Sequence, residues 1–213
     1  MKKDNIQIVW FKRDLRITDH KPLFEASLNL IPTLLIYVVE TDYWQQPFSS
    51  KRHWSFIYDS LKELRKDLKN IGQTLVVRIG SVKDIFENLS TQYNIRSISS
   101  HEETGNKWTY DRDKIIQNWC LKNHILFNEF PSNGVVRRLK NRTEWSKIRN
   151  ARIKEELIST PTHITPILKI EEGKIPNKDD PIFENNYSGI VQKGGRSEAI
   201  KILDSFLANR GKN

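Results

Sequence analysis

Two short segments gather the residue types that could do chemistry. In the first, Phe11-Lys12-Arg13-Asp14-Leu15-Arg16 sets three cations around one acid, with Asp19 shortly after. Cations clustered at the end of an apolar run suit an anionic or polar ligand, and a solvated loop paired within itself explains the same pattern. In the second, Ser100-His101-Glu102-Glu103-Thr104 puts two carboxylates beside an imidazole. Those side chains could ligate a metal, or accept hydrogen bonds from the ring nitrogens of a heterocycle. Adjacent Glu102 and Glu103 should point apart, however, and the triplet by itself assigns no metal. A third segment, Lys193-Gly194-Gly195-Arg196-Ser197, could cradle a phosphate at a helix start, or simply cap the helix through Ser197. Trp44 and Trp108 fall in or near loops, where an indole either stacks on a ligand or sits amphipathically at the surface.

Other chemistry is excluded by absence. There is no G-x-G-x-x-G after the first apolar run, no G-x-x-x-x-G-K-[ST], no H-E-x-x-H and no G-x-S-x-G. Cys120 is the single cysteine, so the chain forms no internal disulfide and no Cys-based zinc site, and its place on an apolar stripe suits a core residue. A reducing, cytoplasmic setting is expected. No apolar run approaches the ~20 residues that span a bilayer, and Met1-Lys2-Lys3 followed by a run broken at Gln7 is not a signal peptide.

The elements that would position these segments follow an alternating pattern. Ile6 to Trp10, Thr33 to Val39, Thr74 to Ile79, Arg96 to Ser99 and Ile125 to Phe127 read as strands. Between them lie helices: one opened by Pro22, one from Ser50 to Ile71 with Trp54, Ile57, Leu61, Leu64 and Leu68 in a single stripe, one begun by Ser81 and Asp84, and one from Asn106 to Lys122. Gly72 should stop the longest of them. The sum is an α/β fold: a five-stranded parallel Rossmann-like sheet with helices on both faces, followed by a long linker and a terminal helix. In Rossmann-like order, ligands bind where β1 meets β4, and the Phe11 and Ser100 loops both start there. A flavodoxin-like order would bring Gly80-Ser81 to the crevice instead.

The three parts are expected at 1–130, 131–195 and 196–213. Within 213 residues, 35 Lys+Arg against 26 Asp+Glu give a formal charge of +9, which favours phosphate-rich partners or is simply solvated. Much of the excess lies between Arg137 and Lys154, with eight basic residues and one acid, Glu144. Residues 159–195 hold four of the eight prolines and four of the nine glycines without an apolar period, which reads as a linker. Ala199, Ile200, Leu203, Phe206 and Leu207 then resume helical spacing.

The run Ile8-Val9-Trp10-Phe11-Lys12-Arg13-Asp14-Leu15-Arg16, with Asp19 and His20 following, resembles the opening signature of the DNA photolyase and cryptochrome family. The helix from Arg52 to Leu68, the stretch from Ser100 to Asp113 and the Gly194-Gly195 helix agree in order. The resemblance implies an amino-terminal light-harvesting domain that holds an antenna chromophore and passes energy to FAD in a carboxyl-terminal helical domain, on the same or a separate chain. It maps the antenna site onto Phe11, Lys12, Arg13, Asp14, Tyr37, Glu40, Arg52, Phe56, Glu102 and Glu103. Folate-binding members carry Asn-Glu where Trp108 and Thr109 stand, so a deazaflavin, a flavin or an empty pocket is expected rather than folate.

The parent protein would be a deoxyribodipyrimidine photo-lyase or a photoreceptor relative acting on DNA. This chain alone would be inactive, carry no catalytic residue and no metal, and expose an apolar face that favours homodimers. Two other functions fit the residues without the resemblance. One is a nucleotide-binding regulatory α/β domain. The other is a basic nucleic-acid module working through residues 134–154, with Arg137, Arg138 and Arg142 as contacts.

Overall fold

The structure is a computed structural model that describes residues 3–183, 189 and 191–209. Met1-Lys2, residues 184–188 and 190 of the linker, and the last positions, 210–213, lie outside the described residues.

Strands β1 (Asn5–Phe11), β2 (Thr33–Val39), β3 (Leu75–Ile79), β4 (Asn94–His101) and β5 (Leu126–Phe130) form one sheet in the order β3-β2-β1-β4-β5. Every pairing is parallel, with Val9 opposite Leu35 on one side and Ser99 on the other. This is the Rossmann-like order, and it removes the flavodoxin-like alternative. All of β2 and all but the first residue of β1 are buried, which is why both are mainly apolar, and the one polar interruption of β1, Gln7, donates to Ala26 O and Thr33 Oγ1.

Helices α1 (Lys21–Ser27), α2 (Thr41–Trp44), α3 (Lys51–Asn70), α4 (Val82–Gln92) and α5 (Lys107–Lys122) cover the two faces. Side chains alternate across the sheet, so Ile8 and Trp10 join Phe86 and Trp119 on one face while Val9 and Phe11 join Trp54 and Leu61 on the other. The α3 stripe behaves as its spacing predicts. Trp54, Leu61, Leu64 and Leu68 are fully buried, each worth ~1.5–3 kcal/mol relative to exposure. Ser50 caps the helix by accepting from His53 N–H, and Gly72 ends it at φ +72°. At α4, the Ser81 hydroxyl accepts from Asp84 N–H.

The proline- and glycine-bearing segment is folded back on the sheet. β3 is an edge strand, and Val77 N–H donates to Glu172 O at 2.7 Å, which covers that edge. Gly173 makes the close approach at φ +74°, where a Cβ would strike Val77 O. Thr33 N–H donates to Thr165 O, and Gln73 Nε2 donates to the buried Ile164 carbonyl. Phe183 stacks on Trp54 at 4.2 Å between ring centroids. Trp44 packs edge-on against both rings and is buried, so it is a core residue rather than a surface indole.

Residues 131–195 also contain a helix that periodicity gave no reason to expect. A 3-10 turn (Arg142–Glu144) leads into α6 (Trp145–Ile153), which buries none of its residues and therefore has no apolar stripe to read. The terminal helix α7 (Arg196–Asn209) begins at the double glycine. Gly195 N–H donates to Ser60 Oγ, and Ser197 donates through both N–H and hydroxyl to the Glu63 carboxylate. Ser197 is thus a donor rather than the cap, and these N–H groups are taken up by α3, not left for a phosphate. Ile200, Leu203, Phe206 and Leu207 remain about half exposed. No helix among the described residues is long and apolar enough to cross a membrane.

Candidate functional site

The loops after β1 and β4 open, as parallel topology requires, beyond the carboxyl ends of the strands where the strand order reverses. There a cleft of about 1060 Å³ lies between the strand ends, α2, the first turns of α3, the start of α5 and the start of α7. Phe11, Lys12, Arg13, Tyr37, Glu40, Arg52, Phe56 and Glu103 line it. Its walls are aromatic, with Trp10, Tyr43 and Phe48 beside them, and its rim is basic, with Arg16, His53 and Arg196.

A chain of ion pairs crosses the floor. Lys12 Nζ lies 2.8 Å from Asp113 Oδ2, and Asp113 Oδ1 lies 2.9 Å from Arg112 Nε. Arg112 also pairs closely with Glu40, and its other terminal nitrogen is 3.4 Å from Glu103 Oε2. Glu103 Oε1 accepts from Gly105 N–H and faces Arg13 Nε at 3.4 Å. Three cations thus meet three carboxylates. The Arg112 guanidinium lies over the Trp10 ring at 4.6 Å, which fixes its plane.

These charges are mostly buried, and at Glu40 and Arg112 burial and pairing act against each other. Desolvation pushes Glu40 up to about 7 although Arg112 pulls it down. Arg112 itself is held above its usual value, because three carboxylates outweigh the cost of burial. Burial also raises the Tyr37 hydroxyl, with Glu40 adding to it. The Glu40 carboxyl therefore changes between donor and acceptor near neutral pH, while the guanidinium beside it keeps its charge.

Arg112, like Tyr43, Phe48 and His53, is a cleft residue that the sequence pattern does not single out. Its signal was present in the sequence as an Arg-Asp pair one turn into α5, but nothing there showed that the pair turns inward to meet Glu40, 72 positions earlier.

Asp14 and Glu102 do not line the cleft. Asp14 turns inward, where Oδ1 accepts from Lys12 N–H and Oδ2 lies 2.5 Å from His101 Nδ1 and 2.7 Å from His20 Nε2. His20 Nδ1 accepts from Leu23 N–H, so the neutral ring carries its proton on Nε2, which lies 2.7 Å from Asp14 Oδ2 without hydrogen-bond alignment. Burial raises the Asp14 carboxyl, but the two histidines outweigh it and hold it well below the usual range. Burial lowers His20 despite Asp14. The three ligand atoms lie within 4.8 Å of one another. The 2.5 Å spacing is a hydrogen bond between His101 and Asp14, and both it and the 2.7 Å contact to His20 are shorter than the ~3.3 Å between ligands on a tetrahedral zinc with bonds of about 2.0–2.1 Å. Asp14 ties the β1 loop to β4 and to the start of α1.

Glu102 points away from Glu103, as adjacent residues on an extended chain should. Its Oε1 faces Arg137 Nε at 3.4 Å, and Arg137 also holds Glu129 at 2.8 Å. Trp108 lies outside the lining, 5.4 Å from the Tyr43 ring and 6.0 Å from the Arg112 guanidinium. Cys120 is buried, its thiol pushed up to about 12, which leaves it inert.

With that geometry in place, the comparisons with known proteins become specific. The family model for DNA photolyase matches residues 7–147, which hold the β1 loop, Glu40, Glu103 and Arg112. The chain belongs to the DNA photolyase family. It is 27% identical over 222 residues to a cryptochrome DASH of Gloeobacter violaceus, covering 94% of this chain and 44% of that relative. The cryptochrome of Synechocystis sp. PCC6803 superposes with a TM-score of 0.78 at 19% identity, over 100% of this chain and 48% of the other. An archaeal photolyase from Sulfolobus tokodaii, solved with two FAD molecules and with the implication of a novel light-harvesting cofactor, superposes with a TM-score of 0.71 at 20% identity, over 93% of this chain and 46% of the other. The chain therefore spans a little under half the length of these photolyase-family relatives.

Proposed function

We propose that this chain is the light-harvesting domain of a photolyase or cryptochrome, that its cleft holds an antenna chromophore, and that it passes excitation to FAD in a helical domain on the same or a separate chain. The observation that carries this reading is the cleft itself, at the sheet's switch point, with aromatic walls, a basic rim and two carboxylates on its floor. A conjugated ring would lie against the aromatic side chains, with its N–H edge toward Glu40 and Glu103 and an anionic tail toward Arg13 and Arg52. A deazaflavin or a flavin meets that description. At the folate-specific positions, the Thr109 hydroxyl donates its proton to Asn106 O and no carboxylate stands there to accept from a pterin.

The exposed apolar residues of α7 suit docking of the FAD-binding domain, and without it they favour homodimers. Light-driven DNA repair or signalling then belongs to the assembled protein, in the cytoplasm, and this chain alone is inactive. The deciding experiment is the near-UV and visible spectrum of the purified chain after incubation with FMN, FAD, a deazaflavin or a reduced folate. Saturable uptake of a flavin or deazaflavin that Arg13→Ala and Glu103→Ala abolish is the expected result. No uptake of any of the four would remove the antenna role.

A further inference from the structure

We propose that a groove between α3 and the segment folded back on the sheet binds a small phosphate monoester, at a site that shares no lining residue with the cleft. Its volume is about 620 Å³, inside the ~300–1,000 Å³ of small-molecule sites and more than a bare oxyanion would fill. One wall is a stripe of α3, where Tyr58, Lys62 and Arg65 follow one another along the same side of the helix. The other wall is Gly173 to Asn177. It is held by Val77 N–H on Glu172 O at 2.7 Å, by Trp54 Nε1 on Asn177 O at 3.2 Å, and by Lys178 on Asp59 at 2.8 Å. Both walls are thus fixed by contacts within the chain.

Arg65 is set for an anion. Its Nη2 donates to Leu75 O at 3.2 Å and to Gly173 O at 3.0 Å, which locks the guanidinium between β3 and the returning segment. Its Nε is shut in without a hydrogen bond, 3.8 Å from a Glu172 carboxylate that lies nearer to Lys69, at 3.0 Å. Nη1 is left with no acceptor among the described residues. Lys62 and Lys174 add an ammonium group from each wall, and neither pairs with an acid among the described residues. The carboxylate in the lining is Asp180, whose Oδ1 accepts from Ile182 N–H at 3.1 Å. Three cations from two elements therefore converge on one concavity against one tied carboxylate. A fixed guanidinium edge with two adjustable ammonium groups suits the three terminal oxygens of a phosphate.

The rest of the lining sets the body of the ligand. Ile175 and Pro176 are apolar, and the Tyr58 ring is overlaid by the Lys62 and Lys178 ammonium groups, 5.5 and 5.4 Å from its centroid. A compact apolar or aromatic group fits against that side. A phosphodiester chain is the poorer fit, because a phosphate bridging two sugars has only two free oxygens to offer three cations.

The test is isothermal titration calorimetry of the full chain with phenyl phosphate and with inorganic phosphate, the site being located by amide shifts in NMR spectra of the nitrogen-15-labelled protein. Phenyl phosphate should bind saturably, at least about fivefold more tightly than inorganic phosphate, and the shifted amides should fall within 58–65 and 173–177. Lys62→Ala with Lys174→Ala should weaken binding about tenfold or more. Lys122→Ala with Lys147→Ala makes the same change of charge at two exposed positions elsewhere and should leave affinity within about twofold. Arg65 is kept in these variants because its bonds to two carbonyls hold the β3 edge. Equal losses in the two double variants would reduce the effect to net charge and overturn the proposal. So would an absence of saturable binding up to about 10 mM, equal affinity for the two phosphates, or shifts confined to the cleft. Arg13→Ala and Glu103→Ala leave this groove intact, so a failure here is distinct from a failure of the antenna reading.

Discussion

Around the cleft, Lys12, Arg13 and Arg112 each face a carboxylate, and Lys12 and Arg112 are nearly out of water. Around α6, six cations face solvent with no acid paired to them among the described residues. In sequence the two regions look alike, as short basic runs after a strand. The difference teaches that charge density along a chain says little about field: a buried cation is tolerated only when its counter-charges arrive from other elements, and an exposed one needs none. The cleft thus keeps its charges in fixed mutual orientation, and the α6 segment leaves its charges to solvent.

The sharpest way to break this comparison is Arg112→Met. It leaves Glu40, Glu103 and Asp113 buried without their shared cation, and chemical denaturation should show a loss of ~3–5 kcal/mol. A loss under 1 kcal/mol would mean that the floor is not the ion-pair network described here.

The second effect is the pH dependence of Glu40. Its folded value, about 7, is raised above the usual 4.5, so its contribution to stability is full below 4.5 and is lost as pH rises through 7. His20, lowered in the fold, contributes in the opposite sense, with stability present above its usual 6.5 and lost as pH falls below it. The two are separated by comparing the parent chain with Glu40→Gln at pH 5 and pH 8. The parent's advantage should shrink by on the order of 2 kcal/mol toward pH 8. A constant difference would place the Glu40 titration outside that range.

Arg137 and Arg138 divide the two regimes at neighbouring positions. Arg137→Ala frees the Glu129 and Glu102 carboxylates and should destabilise by about 1–3 kcal/mol, whereas Arg138→Ala should lie within about 0.5 kcal/mol of the parent. Similar thermal shifts for both would erase the distinction. The smallest effect is expected for Arg142→Ala with Lys147→Ala, a change in stability of under about 0.5 kcal/mol, checked by the same melt.

Sequence by itself determined the sheet and its helices, because apolar side chains buried on strands and on one face of a helix must recur at fixed intervals. The α3 stripe, the Ser81 cap and the Gly72 stop are local events, and each was readable from residues a few places apart. It also narrowed the crevice to two sets of loops, and the strand order β3-β2-β1-β4-β5, which only the tertiary structure shows, chose between them. Only the tertiary structure decided the rest. Arg112 became a floor residue because α5 turns it toward Glu40 across the sheet, and Asp14 left the cleft because two histidines from different elements supply a better partner than water. Trp44 became core because Phe183, from a segment without periodicity, folds back to stack on Trp54. Helix α6 left no trace in the pattern because it buries nothing. Periodicity records burial against a common core, and contacts between single residues far apart in the chain leave no period to read.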